Sequence, residues 1–414
     1  MKTRFFLSAA FLLSVIGFSL QADPASSVHE TITSISITGL KRTKPHVAEE
    51  ALNRFIGMNA DSVNLNDAQA AVLATGILDV RDIGIKDNPK DPGKILWVEV
   101  QEKWAILPFP MVSADSGNVS FGLMLMDNNA FGLNDKFILG GIYGSAGWAA
   151  SVMYMHSAKK SRPGWNTSFS YIRSNHETRN QDNDVLRDYD LYTLSANTGI
   201  NFNISEALSA RAGAEFTWSE LHTSDSSFAV PEDDGMFISL SSGLNLRRNS
   251  WDGYFLAQKA ISGSFSYSFG IEAPSYYTIH INGIYEQPIF AGLKGLAKAS
   301  FIYAPEVIPL FESSPQMAGI DILPSSFRAK NYLGGSVGLE KSLFRFQAGT
   351  LSLMASYQAV FSEGPLIDDS FDHGVAGALC FYMKKIAMPA VGLGASYNAA
   401  ASYFKLYFNV GMSF

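Results

Sequence analysis

From Tyr403 to the final Phe414 the chain alternates without a break. Phe404, Leu406, Phe408, Val410, Met412 and Phe414 are apolar, and Tyr403, Lys405, Tyr407, Asn409, Gly411 and Ser413 are polar or small. Successive side chains of a strand point to opposite faces, so this segment offers one face to hydrocarbon and the other to water. Strands of this kind can lie in a bilayer only when every backbone group is paired, which a sheet achieves by closing on itself. The end of the chain therefore points to a transmembrane β-barrel.

The beginning sets the compartment. Lys2 and Arg4 form a short basic region, Phe5 to Leu20 is almost continuously apolar, and Leu20-Gln21-Ala22 precedes Asp23-Pro24 as a cleavage site. Residues 1–22 read as a signal peptide, and the apolar run is short of the ~20 residues a spanning helix needs. Cys380 is the only cysteine, so no thiol near the cleavage site can carry a lipid and no disulfide can form within the chain. A secreted barrel with a leader belongs in a bacterial outer membrane.

Hydropathy alone hides the barrel. Apolar residues make up 47% of the sequence, yet the mean hydropathy is only +0.06, because lumen residues dilute each strand. The 29 Phe, 17 Tyr and 6 Trp can supply interface girdles, and the 35 Gly suit turns and a crowded interior. A net charge of −7 argues against a nucleic-acid partner. The histidines at 29, 46, 156, 176, 222, 280 and 373 lack metal-ligand spacing, and there is no phosphate loop or nucleophile elbow, so nothing calls for a cofactor, a metal or an enzyme. His156 and His280 could join a Ser-His-Asp set only from distant strands. Ile367 to Asp372 reads as a hydrated acidic loop, Asp127 to Gly132 as a turn, and Cys380 as a lumen-side packing residue beside Ala376, Ala378 and Tyr382.

The pattern changes near residue 105. Before it, Thr31 to Thr38 is a β-rich run closed by Gly39. A helix is predicted over Lys44 to Ile56, capped by Thr43, with Val47, Ala51, Leu52 and Phe55 on one face. A second is predicted over Leu65 to Thr75, with Ala68, Ala71, Val72 and Thr75 clustered and Gly76 as its stop. Strands follow at Val80 to Ile85 and Lys94 to Val100, joined by Asn88-Pro89-Lys90-Asp91-Pro92-Gly93. The order is β-α-α-β-β, a small α/β domain over residues 28–105.

After residue 105, strands are predicted near 108–114, 118–126, 136–144, 148–157, 164–174, 190–203, 207–219, 236–247, 256–270, 276–287 and 294–304. Five more fall near 331–343, 349–361, 371–383, 390–398 and 403–414. Parity supports them: Leu208, Ala210, Ala212, Ala214, Phe216 and Trp218 oppose Ser209, Arg211, Gly213, Glu215, Thr217 and Ser219. Charges thus lie away from lipid, where Arg or Lys at the midplane would cost about 2–4 kcal/mol. Residues 106–414 give sixteen strands about 19 residues each with connection, against ~9–11 for the spanning strand itself; fourteen strands also fit. With both ends periplasmic, the long polar connections at 175–189, 220–235 and 305–330 all fall outside the cell.

Several segments resemble a known family. ITSISITGLKRT (32–43), ATGILDVRDIGI (74–85) and VEVQEKWAILP (98–108) are similar to the opening, middle and end of a POTRA module. MDNNAFGLNDK (126–136), FRAKNYLGGSVGLE (327–340) and YFNVGMSF (407–414) resemble the second-strand turn, the sixth-loop Arg motif and the terminal strand signal of the BamA/TamA superfamily. The resemblance covers nearly the whole mature chain. It implies a barrel that inserts or translocates outer-membrane proteins, embedded in the outer-membrane lipid bilayer, with unfolded clients and periplasmic or lipoprotein partners meeting the POTRA domain in the periplasm.

The family's functional residues carry over unevenly. Arg328 stands at the Arg of the sixth-loop motif, but Ala329 and Lys330 replace its Gly-aromatic pair. Glu340 matches the first lumen carboxylate and is the expected partner of Arg328, since a buried unpaired Arg is costly. The second carboxylate falls on Ser362, beside Glu363. The resemblance places the barrel seam at Pro108, Pro110, Val112, Asn409 and Gly411, and the terminal signal at Tyr407, Gly411 and Phe414. Pro108 and Pro110 lack the N–H that a ladder needs; they either weaken the closing strand, where a client strand could add, or lie in the linker before it. Val80, Ile83 and Ile85 mark an exposed POTRA edge open to extended partners.

Three functions follow as alternatives. The first is an assembly or translocation factor, accessory or lineage-specific because residues 28–105 hold one POTRA where main assembly factors carry several. The second is a pore or structural surface antigen of the same architecture, which the altered Arg motif favours. The third, a barrel enzyme, lacks any motif.

Overall fold

The computed structural model describes residues 30–414 except 90, 116–117, 146, 159–161, 223–233, 253–254, 272, 348, 365–368, 384–390 and 411–414. The leader, Gly411 and Phe414 lie outside the described residues. The described chain falls into two compact units, one of residues 30–41 and 45–102, the other of 42–44 and everything from Lys103 onward.

The first unit has the order β1 (Ile32–Thr38), α1 (Pro45–Leu52), α2 (Leu65–Leu73), β2 (Leu78–Asp87) and β3 (Lys94–Glu102). Pro45 begins α1, where a missing N–H is tolerated, so Thr43 falls outside the cap position expected of it. α1 ends at Leu52 and a short 3-10 turn, Asn53–Phe55, carries Phe55 into the core. Asn64 caps α2 by accepting from the Asn66 N–H at 3.0 Å. β3 is central, parallel to β1 and antiparallel to β2. Ile32, Val47, Leu52, Phe55, Val72, Leu78, Leu96 and Val98 form the core. Ala48 is the fully buried alanine of α1, while Ala51 is only partly buried.

The second unit is a closed antiparallel barrel of sixteen strands. They are β4 (Ile106–Asp115), β5 (Asn118–Ala130), β6 (Asp135–Gly144), β7 (Gly147–His156), β8 (Gly164–Arg179), β9 (Val185–Asn203), β10 (Leu208–His222) and β11 (Gly235–Asp252), followed by β12 (Phe255–Ile271), β13 (Tyr276–Phe290), β14 (Leu293–Tyr303), β15 (Asn331–Arg345), β16 (Gly349–Glu363), β17 (Ser370–Met383), β18 (Val391–Asn398) and β19 (Tyr403–Val410). Each pairs with the next, and β19 closes on β4. The count is sixteen rather than fourteen, and every predicted strand is present. β16 shows why alternation sufficed: Leu353, Tyr357 and Phe361 point outward and exposed, while Ser352, Met354, Ser356, Gln358 and Val360 are buried inward. Among the described residues no helix is long and apolar enough to cross a membrane.

Two connections depart from expectation. Strand structure consumes most of 175–189, because β8 runs to Arg179 and β9 begins at Val185. The 305–330 segment is not a solvated polar loop; it folds inward, as described next. Of 220–235, residues 223–233 lie outside the described residues.

Candidate functional site

The lumen changes character along a single strand. On β9 the inward residues run Arg187, Tyr189, Leu191, then Thr193, Ser195, Asn197, Gly199 and Asn201. The first three are buried. They lie at the end of the barrel from which the 304–330 connection leaves β14, called here the loop end; the opposite, terminal end holds the start of β4 and the finish of β19. Where the wall turns apolar, the connection supplies matching surface: Val307, Ile308, Leu310, Ile320, Ile322, Leu323 and Phe327 are buried against Tyr189, Leu191, Phe237, Tyr276, Tyr332 and Val360. Burial of each large side chain contributes about 1.5–3 kcal/mol, so the connection is a packed plug. A lumen face read as uniformly aqueous does not reveal this; the signal was the run of Ile, Leu and Val within 307–323.

Polar contacts tie the plug to the wall. The Asp321 N–H donates to Gln358 Oε1 at 2.6 Å, Ser396 Oγ donates to the Asp321 carbonyl at 2.7 Å, and Lys405 Nζ donates to the Leu323 carbonyl at 3.3 Å. These reach β16, β18 and β19. Ser313 and Ala329 form a short bridge that closes the base of the loop, with N–H···O distances of 2.9 and 3.0 Å.

The principal ion pair of the plug is not the expected one. Arg187 Nη1 lies 2.8 Å from Glu312 Oε2, with side-chain exposures of 5% and 2%. Burial pushes the Glu312 carboxyl above the usual range, and Arg187 opposes that shift. Arg328 instead donates through Nη1 to the carbonyls of Ser325 and Phe327 at 3.0 and 2.9 Å, and burial pulls its pKa down. Among the described residues Arg328 pairs with no carboxylate. Glu340 is buried and fully occupied elsewhere: Ser352 Oγ and the Tyr382 hydroxyl each donate to it at 2.6 Å, and Lys294 Nζ sits 3.2 Å from Oε2. Lys294 also reaches Glu286 at 3.2 Å. The reason is reach. Nine extended residues separate Asn331 from Glu340, roughly 30 Å along β15, and the chain at 328–330 is held at the mouth by the bridge to Ser313 and by the Lys330 N–H donating to the Glu363 carbonyl.

Among the described residues β19 meets β4 only at Tyr407↔Asp115 and Phe408↔Ala114. β4 pairs with β5 from Ile106↔Asp127 to Asp115↔Asn118, and β18 with β19 from Asn398↔Tyr403 to Val391↔Val410. Pro108 and Pro110 belong to β4, opposite Leu125 and Leu123, not to a linker. They cannot donate to a ladder. Continuing the seam register sets Asn409 opposite Ser113, so Val112 and Asn409 are one position out of step, and a one-residue offset exchanges the faces of a strand. Tyr407 is buried against Gly394, where an added methyl would come within 2.3 Å of its ring.

In the first unit β2 (Leu78–Asp87) lies beside β3 at one side of the three-stranded sheet. Val80, Ile83 and Ile85 turn their side chains to the core, and a bulge between Val80 and Asp82 interrupts the pairing with β3. Elsewhere, within the 126–136 segment the turn is confined to residues 131–134, with Phe131, Gly132 and Asn134 at positive φ, because β5 runs to Ala130 and β6 begins at Asp135. His156 Nδ1 and the Tyr154 hydroxyl both meet Asp135, at 2.8 and 2.5 Å, while His280 lies on β13. Cys380 is buried beside Ala378, Met354 and Leu296. Among the described residues there is no group of three or more His, Cys, Asp or Glu that could hold a metal.

Comparison with known proteins gives the architecture a context. The Omp85 superfamily domain matches residues 129–336. BamA from Haemophilus ducreyi lacking POTRA domains 1-3 superposes with a TM-score of 0.66 at 13% identity, over 93% of this chain and 85% of that one. CdiB from Acinetobacter baumannii gives 0.66 at 13% identity over 93% and 74% of the two chains, and CdiB from Escherichia coli 0.58 at 11% over 95% and 93%. No curated protein sequence matches.

Proposed function

The chain belongs to the Omp85 superfamily, and on that premise we propose that it is a bacterial outer-membrane factor that inserts or translocates other proteins, in an accessory or lineage-specific role. The superfamily supports outer-membrane protein insertion or translocation as the general activity and a non-enzymatic mode of action. The observation that carries the finer reading is the seam. Two prolines lie in β4, where they offer no N–H to a partner strand, β4 meets the terminal strand β19, and the plug grips β19 through Lys405. A strand edge freed there can pair with an incoming client strand by β-augmentation, with main-chain hydrogen bonds supplying affinity. The first unit is a single POTRA domain over residues 28–105, lying in the periplasm after removal of residues 1–22, and its edge β2 is the surface for extended clients or lipoprotein partners. No cofactor takes part.

Depletion of the protein, followed by an inventory of outer-membrane proteins, tests the reading. A fall in a subset of barrels or secreted proteins supports it; an unchanged inventory overturns it. The specific observation in favour of a second reading, a structural surface antigen, is that Arg328 is not joined to Glu340. A passive open pore is the weaker form of that alternative, because the plug fills the loop end with apolar side chains.

A further inference from the structure

Below the plug, the lumen wall carries a feature apart from the plug and the seam. Five strands bring one residue each into a single row: Asn201 on β9 opposite Arg211 on β10, Arg211 opposite Gly243 on β11, Gly243 opposite Ser264 on β12, and Ser264 opposite His280 on β13. Asn245 and Ser262 pair beside that row. Together these residues line a cavity of about 440 Å³. Arg211 is its only permanent charge.

Arg211 is exposed to the lumen, and two observations bear on what it can hold. Among the described residues it has neither a hydrogen-bond nor an ion-pair partner, whereas Lys294 on the neighbouring wall is matched by Glu286 and Glu340. Gly243 leaves the space over which its side chain lies: a methyl there would meet Arg211 Nε at 3.0 Å and the Gly263 carbonyl at 3.0 Å. The cation is therefore seated, unneutralised, among amide and hydroxyl groups that can donate. A guanidinium presents parallel N–H groups that match two oxygens of a carboxylate or phosphate, and a cationic patch between low-dielectric walls concentrates anions.

We propose that this row is an oxyanion site, in which Arg211 takes a phosphate or carboxylate group and Asn201, Asn245 and Ser264 donate to its remaining oxygens. The cavity falls in the size range of small-molecule sites, so the oxyanion is the head of a small organic solute entering from the terminal end of the lumen. The site is independent of the insertion reading, since a barrel with no client would bind the same ligand.

The full chain, folded in detergent, is titrated with inorganic phosphate, followed by phosphorus line broadening, and separately with acetate, followed by proton saturation transfer. Heat-modifiable migration verifies that each variant is folded. Binding is expected in the parent, weakened at least about tenfold by Arg211→Gln, a difference of about 1.4 kcal/mol, and weakened also by Gly243→Ala, which displaces the side chain without removing the charge. A response to phosphate alone assigns a phosphate head group, and a response to acetate assigns a carboxylate. Silence with both probes, or equal binding by the folded Arg211→Gln variant, overturns the proposal.

Discussion

Arg187 on β9 and Glu312 in the 304–330 connection meet at 2.8 Å in a fully enclosed ion pair, and this contact spans the lumen wall and the plug. Glu312 Oε1 has no further partner among the described residues, so Arg187 is the principal compensation for the buried carboxylate.

Removing one member of the pair should therefore loosen the plug. Glu312→Ala leaves Arg187 buried near Arg328, and breaking a buried pair on one side costs about 3–5 kcal/mol. The expected outcome is a lowered thermal midpoint in detergent and new protease cleavage within 304–330. The double replacement Arg187→Met with Glu312→Leu should recover most of the loss, because apolar side chains of similar size suit the surrounding cluster. A single variant as stable and protease-resistant as the parent would show that packing alone holds the plug.

Double-mutant cycles distinguish the pairing implied by the family motif from the one observed. Arg328→Ala and Glu340→Ala should be additive within about 0.3–0.5 kcal/mol, while Lys294→Ala and Glu340→Ala should couple by about 0.5–3 kcal/mol. Denaturant titrations of the three single variants, the two double variants and the parent provide the measurement. Strong coupling between 328 and 340 would refute the assignment of Glu340 to Lys294, Ser352 and Tyr382.

Cysteines at paired seam positions should crosslink. Directly opposed antiparallel residues have Cα atoms about 4.5–5.5 Å apart, within disulfide range, so Ala114→Cys with Phe408→Cys is expected to oxidise readily. Val112→Cys with Asn409→Cys, one step out of register, should react poorly. Cys380 is buried and leaves the background low. If the seam opens for clients, the crosslinked protein loses activity and regains it on reduction; full activity while crosslinked would eliminate lateral opening.

Gly39 tests the first unit. It adopts φ +91, and a methyl there would meet the Val100 carbonyl oxygen at 2.0 Å. Gly39→Ala should destabilise β1 against β3 by more than the about 1 kcal/mol typical of a left-handed non-glycine residue, because backbone must move as well. Amide exchange of Ile35, Ile37 and Val98 in the full chain is the readout, and unchanged protection would contradict the close approach.

How much of this was legible beforehand follows from where each force acts. The sixteen strands could be read because lipid contact acts on every second residue regardless of what lies across the barrel; Phe404, Leu406 and Phe408 carry that signal within one strand. The helices of the first unit were legible from Val47, Leu52, Ala68 and Val72 because a helix that buries one face repeats its apolar residues every three or four positions, although Pro45 moved the start of α1 past Thr43. The inward residues were not legible in this way. Tyr189 and Leu191 break the polar lumen rule, and their reason, a plug drawn from residues more than a hundred positions later, has no local trace.

The sequence by itself determined the alternation and hence the barrel, since both depend on periodicity within a few residues, while the choice of sixteen strands over fourteen came from the structure. Only the tertiary structure decided which charges meet. Arg328 and Glu340 stand twelve positions apart in the chain, yet β15 holds them far apart in space, while Arg187 and Glu312, 125 positions apart, are brought together by closure of the sheet. Electrostatic partners depend on distance through the lumen, which the order of residues along a strand does not specify.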